Sequence, residues 1–431
     1  MLSCAFASTA RHSQTPVSNL WLTGWLTILL HFAALLFLHL PGIWGALATT
    51  TALASLTWAG ALFMWAAVPY HSDKSSLWIF VCQLATNTFY IGVLMAGPVA
   101  DWALNPAAAL FGICPLVVLL VSFRTFNPAL RWFNVTLNCS LSIFLLLVQH
   151  RPANGASLAM NGVLFAIFFG CSTNFFWVYR RATAGAFITI AGFFTWASVF
   201  VVAPFIESFF PLARVESEVW NLPKYLVSAG MILLLLEDQI EHNKHLALHD
   251  ELTDLPNRRL FQDRLAIAIE RARRSETQAA LLVIDLDRFK HVNDTMGHHI
   301  GDLLLIEVGS AFVGRVRRSD TVARTGGDEF SLILEEPTCR ADAEQVGQSL
   351  LQLLDEPLLL DGHLVRIGAS VGIAMFPEDA SNGESLCIAA DLRMYEDKEK
   401  RSRSIERPVS SRAVPFPSQN LKANSDAELA Q

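Results

Sequence analysis

Residues 326–330 read Gly-Gly-Asp-Glu-Phe, and a second acidic cluster, Asp285-Leu-Asp-Arg-Phe-Lys290, lies about forty residues upstream. Two carboxylates brought together by a pair of strands can hold a divalent metal, since Mg2+ takes few protein oxygens and completes its octahedron with water and phosphate. A Gly-Gly turn beside them lets backbone approach a phosphate that a Cβ would exclude. Lys290 adds a point charge on a flexible stem. The chemistry these residue types suit is metal-assisted reaction at a phosphate.

Strands must position such a pair. Ala280-Leu-Leu-Val-Ile284 is a compact apolar run, read as a buried central strand, with Asp285 at its C-terminal end. Thr321–Arg324 and Phe330–Leu334 read as hairpin strands joined through Gly326-Gly327, a turn that would carry Asp328 beside Asp285.

The composition is split. Between Leu20 and Ile206 there are eight charged side chains, whereas from Glu237 onward charge is dense and periodic. The net charge of −7 averages these two halves, and no basic stripe interleaved with aromatics points to nucleic acid. Seven scattered cysteines have no CxxC spacing and read as buried free thiols.

The acidic blocks recur within a longer pattern. Asp250-Glu-Leu-Thr-Asp-Leu-Pro-Asn-Arg-Arg259, Asp285–Lys290, Asn293-Asp294, Gly297–Asp302, Arg324–Phe330, Ser370–Ala374, Ala390-Asp391 and Tyr395–Lys398 follow one another in register over about 150 residues. This series resembles the GGDEF family of diguanylate cyclases, which join two GTP molecules into cyclic di-GMP.

The resemblance implies a fold and a set of roles. The fold is an α/β (α+β) nucleotide-cyclase-like domain with an antiparallel or mixed central sheet. Asp285, the backbone carbonyl of Leu286 and Asp328 match metal ligands for Mg2+ or Mn2+, and Glu329 matches a neighbour supporting metal or base function. Lys290 and Lys398 match phosphate contacts; Asn293 and Asp302 match residues that hydrogen-bond guanine, which adenine could not satisfy. Gly326 and Gly327 match the turn over the phosphates. Arg317 and Asp320 match an inhibitory site for cyclic di-GMP. One departure is Ser402, which stands where the family usually has arginine; Arg401 or Arg403 could reach the phosphates by a small helix shift.

A bilayer core needs roughly 20 apolar residues per helix. Such runs occur near 20–39, 43–68, 77–98, 103–123, 130–148, 158–178 and 184–206, with a shorter eighth at 225–236. The expected architecture is an α-helical polytopic membrane domain of about eight spans; seven, with the 225–236 run outside the count, would export one terminus. Arg11, Lys74, Arg124, Arg131, Arg180 and Arg181 fall on one side, which places both termini in the cytoplasm of a bacterial inner membrane. The first 19 residues lack a signal peptide pattern, so the first apolar run is expected to stay in the protein. His31 and His39 are eight residues apart, about two turns, too far for one metal. They and Asn87, Asn134, Asn138, Asn161 and Asn174 read as interhelical hydrogen-bond partners. Trp21, Trp25, Trp132 and Trp177 read as an interfacial belt.

Leu226, Leu233, Ile240 and Ala247 repeat by sevens, as do Ala229, Leu236, Asn243 and Asp250. This stripe suggests a short parallel coiled coil that dimerises two chains. The expected order is a cytoplasmic segment over 1–19, a membrane sensor over 20–236, a signalling helix over 237–249, a cyclase over 250–403 and a disordered tail over 404–431. The expected function is a homodimeric membrane cyclase; the alternative is an inactive domain that binds GTP or cyclic di-GMP as a receptor. A transporter reading ranks lower, because no charged residue within the spans marks an ion path.

Overall fold

A computed structural model describes residues 16–67, 74–97, 101–121, 128–152, 154–179, 183–210, 217–337 and 339–406. It divides into two units, Met1–His242 and Asn243–Gln431. Arg11, Arg124, Arg180 and Arg181, on which the topology argument drew, and the tail from 407 lie outside the described residues.

Every predicted apolar run falls on a helix. The helices are α1 (Pro16–Leu35), α2 (Ile43–Ala66), α3 (Lys74–Ala96), α4 (Asp101–Val121), α5 (Pro128–Val148), α6 (Gly155–Val178), α7 (Ala184–Phe209) and α8 (Ser217–Leu248). Among the described residues, six of these are long and apolar enough to cross a membrane, and α3 and α4 hold the apolar stretches Phe80–Ala96 and Trp102–Leu116.

The core of the first unit is aromatic. Trp21 and Trp25 are buried in it, with Trp21 6.0 Å from Phe175 and Trp25 5.5 Å from Phe63, so these two are core residues and not a belt. Trp132 is exposed, as a belt residue would be. Glycine lets α7 and α8 approach closely: a Cβ on Gly230 would lie 2.6 Å from the Thr189 backbone nitrogen. Glu237 accepts the Gly185 N–H at 3.1 Å, placing an acid at the positive N-terminal end of α7.

The polar side chains mostly bond within their own helices. The Asn134, Asn138 and Asn174 amides donate to carbonyls four residues back, and only Asn174 also reaches across, to Asn134 at 3.5 Å. His31 does bridge helices, its Nδ1 bonding the Ala52 carbonyl at 2.8 Å, while His39 lies beyond the end of α1. Of the six described cysteines all are free but only Cys171 is fully buried, since Cys82 and Cys339 are exposed.

The second unit builds a four-stranded antiparallel sheet. Its strands are β1 (Ala279–Asp287), β2 (Thr321–Arg324), β3 (Glu329–Glu335) and β6 (Gly368–Phe376), ordered β2-β3-β1-β6, with a separate hairpin of β4 (Leu358–Leu360) and β5 (His363–Val365). Strand alternation sends Ala280, Leu282, Ile284 and Leu286 to one face, under α11 (His298–Arg315) and α12 (Arg340–Asp355). Ala279, Leu281 and Val283 face α9 (Arg258–Ser275) and α13 (Gly383–Glu406). A short helix, α10 (Phe289–Met296), follows β1.

Two sequence boundaries move. The first strand runs past Ile284 to Asp287, because Asp285 pairs in register with Glu329 and Ser370. Asp250, the last member of the second heptad row, lies beyond α8 and is held by an ion pair instead of a coil.

Candidate active site

The hairpin turn between β2 and β3 is fixed by backbone and by one arginine. Thr325 and Gly326 N–H groups donate to the Glu329 carbonyl, at 3.0 and 3.4 Å. Arg324 donates through Nε and Nη2 to the Gly327 carbonyl and through Nη1 to Asp250 Oδ1 at 2.8 Å. Asp250 also accepts the Thr253 N–H and hydroxyl. Burial opposes ionisation of Asp250, yet the Arg324 and Thr253 bonds hold its carboxyl below the ordinary range. Neither Gly326 nor Gly327 has positive φ. The requirement at 326 is space: a Cβ there would meet Glu329 Oε2 at 2.6 Å.

Strand register then assembles the carboxylates. Asp285 stands opposite Glu329, and the Leu286 N–H donates to the Asp328 carbonyl at 3.2 Å. By alternation Asp285, Asp287 and Glu329 share the sheet face that looks toward α9 and α13. Leu286 turns its side chain into the opposite core. Asp287 accepts the Ser370 hydroxyl at 2.8 Å. Asp285 is buried to 7 % exposure and pairs with Lys398 Nζ, 2.5 Å away, from α13. Burial works against the Lys398 charge, but Asp285, Asp328 and Asp287 together raise its pKa.

Glu329 shows the opposite balance. Burial first, and then repulsion from Asp285, Asp328 and Asp391, push its carboxyl above the ordinary value, with Lys398 pulling the other way. The cluster therefore carries more negative charge than the chain neutralises. A divalent cation fits that deficit. Among the described residues no group of three or more His, Cys, Asp or Glu forms a cage of its own; a cation here would be held by two carboxylates and complete its shell with water and phosphate.

The guanine-reading candidates lie on the other helices. Asn293 on α10 has a buried Oδ1 with no hydrogen-bond partner, and Gly301 leaves room for it, since a Cβ there would overlap that oxygen. A buried acceptor without a donor is uncommon and marks where a ligand N–H would be satisfied. Asp302 and Lys290 are exposed. Arg317 is also exposed, while Asp320 accepts N–H groups from Arg317 and Glu335, at 2.9 and 3.1 Å, and so shapes its turn. Arg401 donates to Asp397 at 3.1 Å, an engagement that a shift toward phosphate would have to break. Ser402 and Arg403 lie in α13, but their side chains are outside the described residues.

Three contributors escaped the sequence reading: Arg324 as the clamp of the turn, Asp250 as its anchor, and Asp391 as a third carboxylate facing Glu329. Asp391 belongs to a cleft of about 860 Å3 between α9 and α13, which also includes Arg258, Thr325, Glu329, Ser331 and Cys387. Local spacing could not have found the Arg324–Asp250 and Glu329–Asp391 partners, because each pairs residues more than 60 positions apart.

The family described as "Diguanylate cyclase, GGDEF domain" matches residues 247–404. Over 157 residues the chain is 50 % identical to the bifunctional diguanylate cyclase/cyclic di-GMP phosphodiesterase MucR of Pseudomonas aeruginosa, covering 36 % of this chain and 22 % of MucR. It is 40 % identical over 161 residues to diguanylate cyclase TpbB of the same organism, 37 % of each protein. A solved structure of the TpbB GGDEF domain alone is 40 % identical, with 35 % of this chain and 89 % of that one covered, at a TM-score of 0.35. The chain thus spans well under half the length of the two full-length relatives. Residues 247–404 of the chain are a GGDEF domain of the diguanylate cyclase family.

Proposed function

We propose that the chain is a membrane-bound diguanylate cyclase of the bacterial inner membrane, converting two GTP into cyclic di-GMP and two pyrophosphates. The observation that carries this reading is the gathering of Asp285, Asp328 and Glu329 at the paired ends of β1 and β3, with Lys398 paired to Asp285. Each ribose 3′-oxygen bonds to the α-phosphorus of the facing GTP, the bond from that phosphorus to the β-phosphate oxygen breaks, and pyrophosphate leaves. Asp285, Asp328 and the Leu286 carbonyl would hold Mg2+ or Mn2+. Bound there, the ion supplies stabilisation of developing negative charge and acidifies the attacking hydroxyl.

The protein's own groups do the rest. Lys398 and Lys290 neutralise phosphate, and Gly326-Gly327 present backbone to it. Asn293 and Asp302 read the guanine edge, where adenine would leave both unpaired. Glu329 accepts or relays the hydroxyl proton. Arg317 with Asp320 binds the product and restrains synthesis.

The remaining organisation follows from the same reading. Residues 20–236 are the membrane sensor and 237–249 the signalling segment that brings two copies together, ahead of a catalytic domain over 250–403. With eight spans the two ends of the bundle lie on one side; seven, with the 225–236 run left out, would separate them. GTP is cytoplasmic, which places that side in the cytoplasm. The test is product formation from GTP and Mg2+ by the full chain in detergent or nanodiscs. Cyclic di-GMP is the expected product; a protein that binds GTP and makes none would be a receptor instead.

A further inference from the structure

Polar side chains in an apolar bundle need hydrogen-bond partners, and on α5 and α6 most have one. Asn134, Thr136 and Asn138 bond carbonyls of the preceding turn, Ser142 reaches the Ala108 carbonyl, and Ser172 that of Ile190. Thr173 and Asn174 bond back along α6. Ser140 and Asn161 differ: their side chains make no hydrogen bond among the described residues. Asn161, expected from the sequence to bridge helices, bridges none.

Both line the same cavity. It has a volume of about 450 Å3, is built from α5, α6 and α7, and counts Leu141, Phe144, Phe165 and Val201 among its walls. Small-molecule sites have this size and this make-up, an apolar lining with a few placed polar groups. The third helix adds another such group. Pro204 lines the cavity inside α7 and has no N–H, so the Phe200 carbonyl, one turn earlier in the same lining, lacks its ordinary i+4 donor. Helices α6 and α7 follow one another in the chain, and Asn161 and Phe200 each lie roughly 25 Å from the connection at 1.5 Å per residue. The amide and the carbonyl therefore sit at one depth.

One kind of ligand group meets this set. An amide side chain donates and accepts, whereas a backbone carbonyl only accepts. A hydroxyl can donate to the carbonyl while it accepts from the amide. A hydrocarbon chain satisfies neither. An ion finds no counter-charge, because no charged side chain belongs to the lining.

We propose that this cavity binds an apolar molecule carrying one hydroxyl group, held by Asn161 and the Phe200 carbonyl. The proposal rests on the membrane part of the proposed function and is independent of the cyclase part.

The test photolabels the full chain in nanodiscs with a decanol that carries a diazirine on its chain. The matching diazirine decane is the control, and labelled peptides are located by mass spectrometry. The alcohol should label the cavity segments of α5, α6 and α7 saturably, and unlabelled decanol should compete where decane does not. Asn161→Leu, close to isosteric, should lower labelling by the alcohol at least about fivefold, the scale of one lost hydrogen bond. Labelling of the same peptides by the alkane should stay as it was, which also reports that the bundle is intact. Equal labelling by the two probes, or alcohol labelling indifferent to Asn161→Leu, would mean that the cavity takes bilayer chains without selection and overturns the proposal. A chain that stays soluble after lysis without detergent sinks the membrane reading instead. The probe comparison, run in buffer, then still decides whether the cavity selects a hydroxyl.

Discussion

Asp379 and Glu329 are acids of the same domain in opposite circumstances. Asp379 accepts two hydrogen bonds from Arg393, one from Arg340 and one from the Met375 N–H. Led by the Arg393 bonds, these hold its carboxyl well below the ordinary range. Glu329 meets burial and three other carboxylates, with Lys398 as the countering charge, and its carboxyl is raised. One cluster is balanced within the chain; the other is the one the proposed function completes with a bound cation. The difference separates a structural carboxylate from a functional one without reference to any motif.

The largest test of that contrast removes a member of the incomplete cluster. Asp328→Ala should cut cyclic di-GMP formation by on the order of 10²–10³-fold or more, with the fold intact and Mn2+ binding weakened. Retained turnover with normal metal dependence would mean that the carboxylate excess around Glu329 serves no catalytic purpose.

Much of this architecture was legible in the sequence, and the exceptions share a cause. All eight helices fell on the apolar runs, because hydropathy over 20 residues is a local property. The β2–β3 hairpin was legible as two short strands joined through Gly326-Gly327. The strand beyond Ile284 was missed because its last residues are acidic, and a polar ladder end looks like a loop to hydropathy. Trp21 and Trp25 read as a belt because run ends suggest an interface; only packing against Phe175 and Phe63 shows them to be core. Arg324–Asp250, Gly301 beneath Asn293, and Arg393–Asp379 each depend on tertiary register, which no local pattern reports.

The next effect is on stability. Asp379 is 11 % exposed, and Asp379→Asn leaves Arg393 and Arg340 facing a neutral group, at a cost of about 3 kcal/mol. Its folded pKa is depressed, so its contribution is present above the ordinary carboxylate pKa near 4 and is lost as pH falls. Hydrogen exchange of β6 and α13 amides in denaturant, comparing the two proteins at each pH, should show the full deficit at pH 7. The deficit should narrow as the pH falls below about 4. A gap that widened instead would overturn the assignment of Asp379 as the satisfied acid.

Arg317 is the converse case, an exposed cation whose guanidinium makes no hydrogen bond or ion pair among the described residues. Asp320 beside it is occupied by backbone N–H groups. If an uncompensated charge marks a ligand, this one marks an anion. Arg317→Ala should leave the initial rate within about twofold while weakening inhibition by added cyclic di-GMP roughly tenfold, the scale of a lost charge-assisted contact. Unchanged inhibition would move the product site elsewhere.

The smallest effect probes Glu329 itself. Because its folded pKa is raised, stability present below the ordinary carboxylate pKa is lost as pH rises through the raised value. Glu329→Gln escapes that loss. At pH 7 without divalent metal the variant should be the more stable protein, by on the order of a few tenths of a kcal/mol given how exposed the group is. The gain should vanish at acid pH, where both side chains are neutral. Saturating Mg2+ should reverse the order, since a ligand stabilises the form that binds it more tightly. An acid that destabilises the empty domain and stabilises the loaded one is what the Asp379 cluster cannot be, and the crossing of the two stability curves with metal would show it.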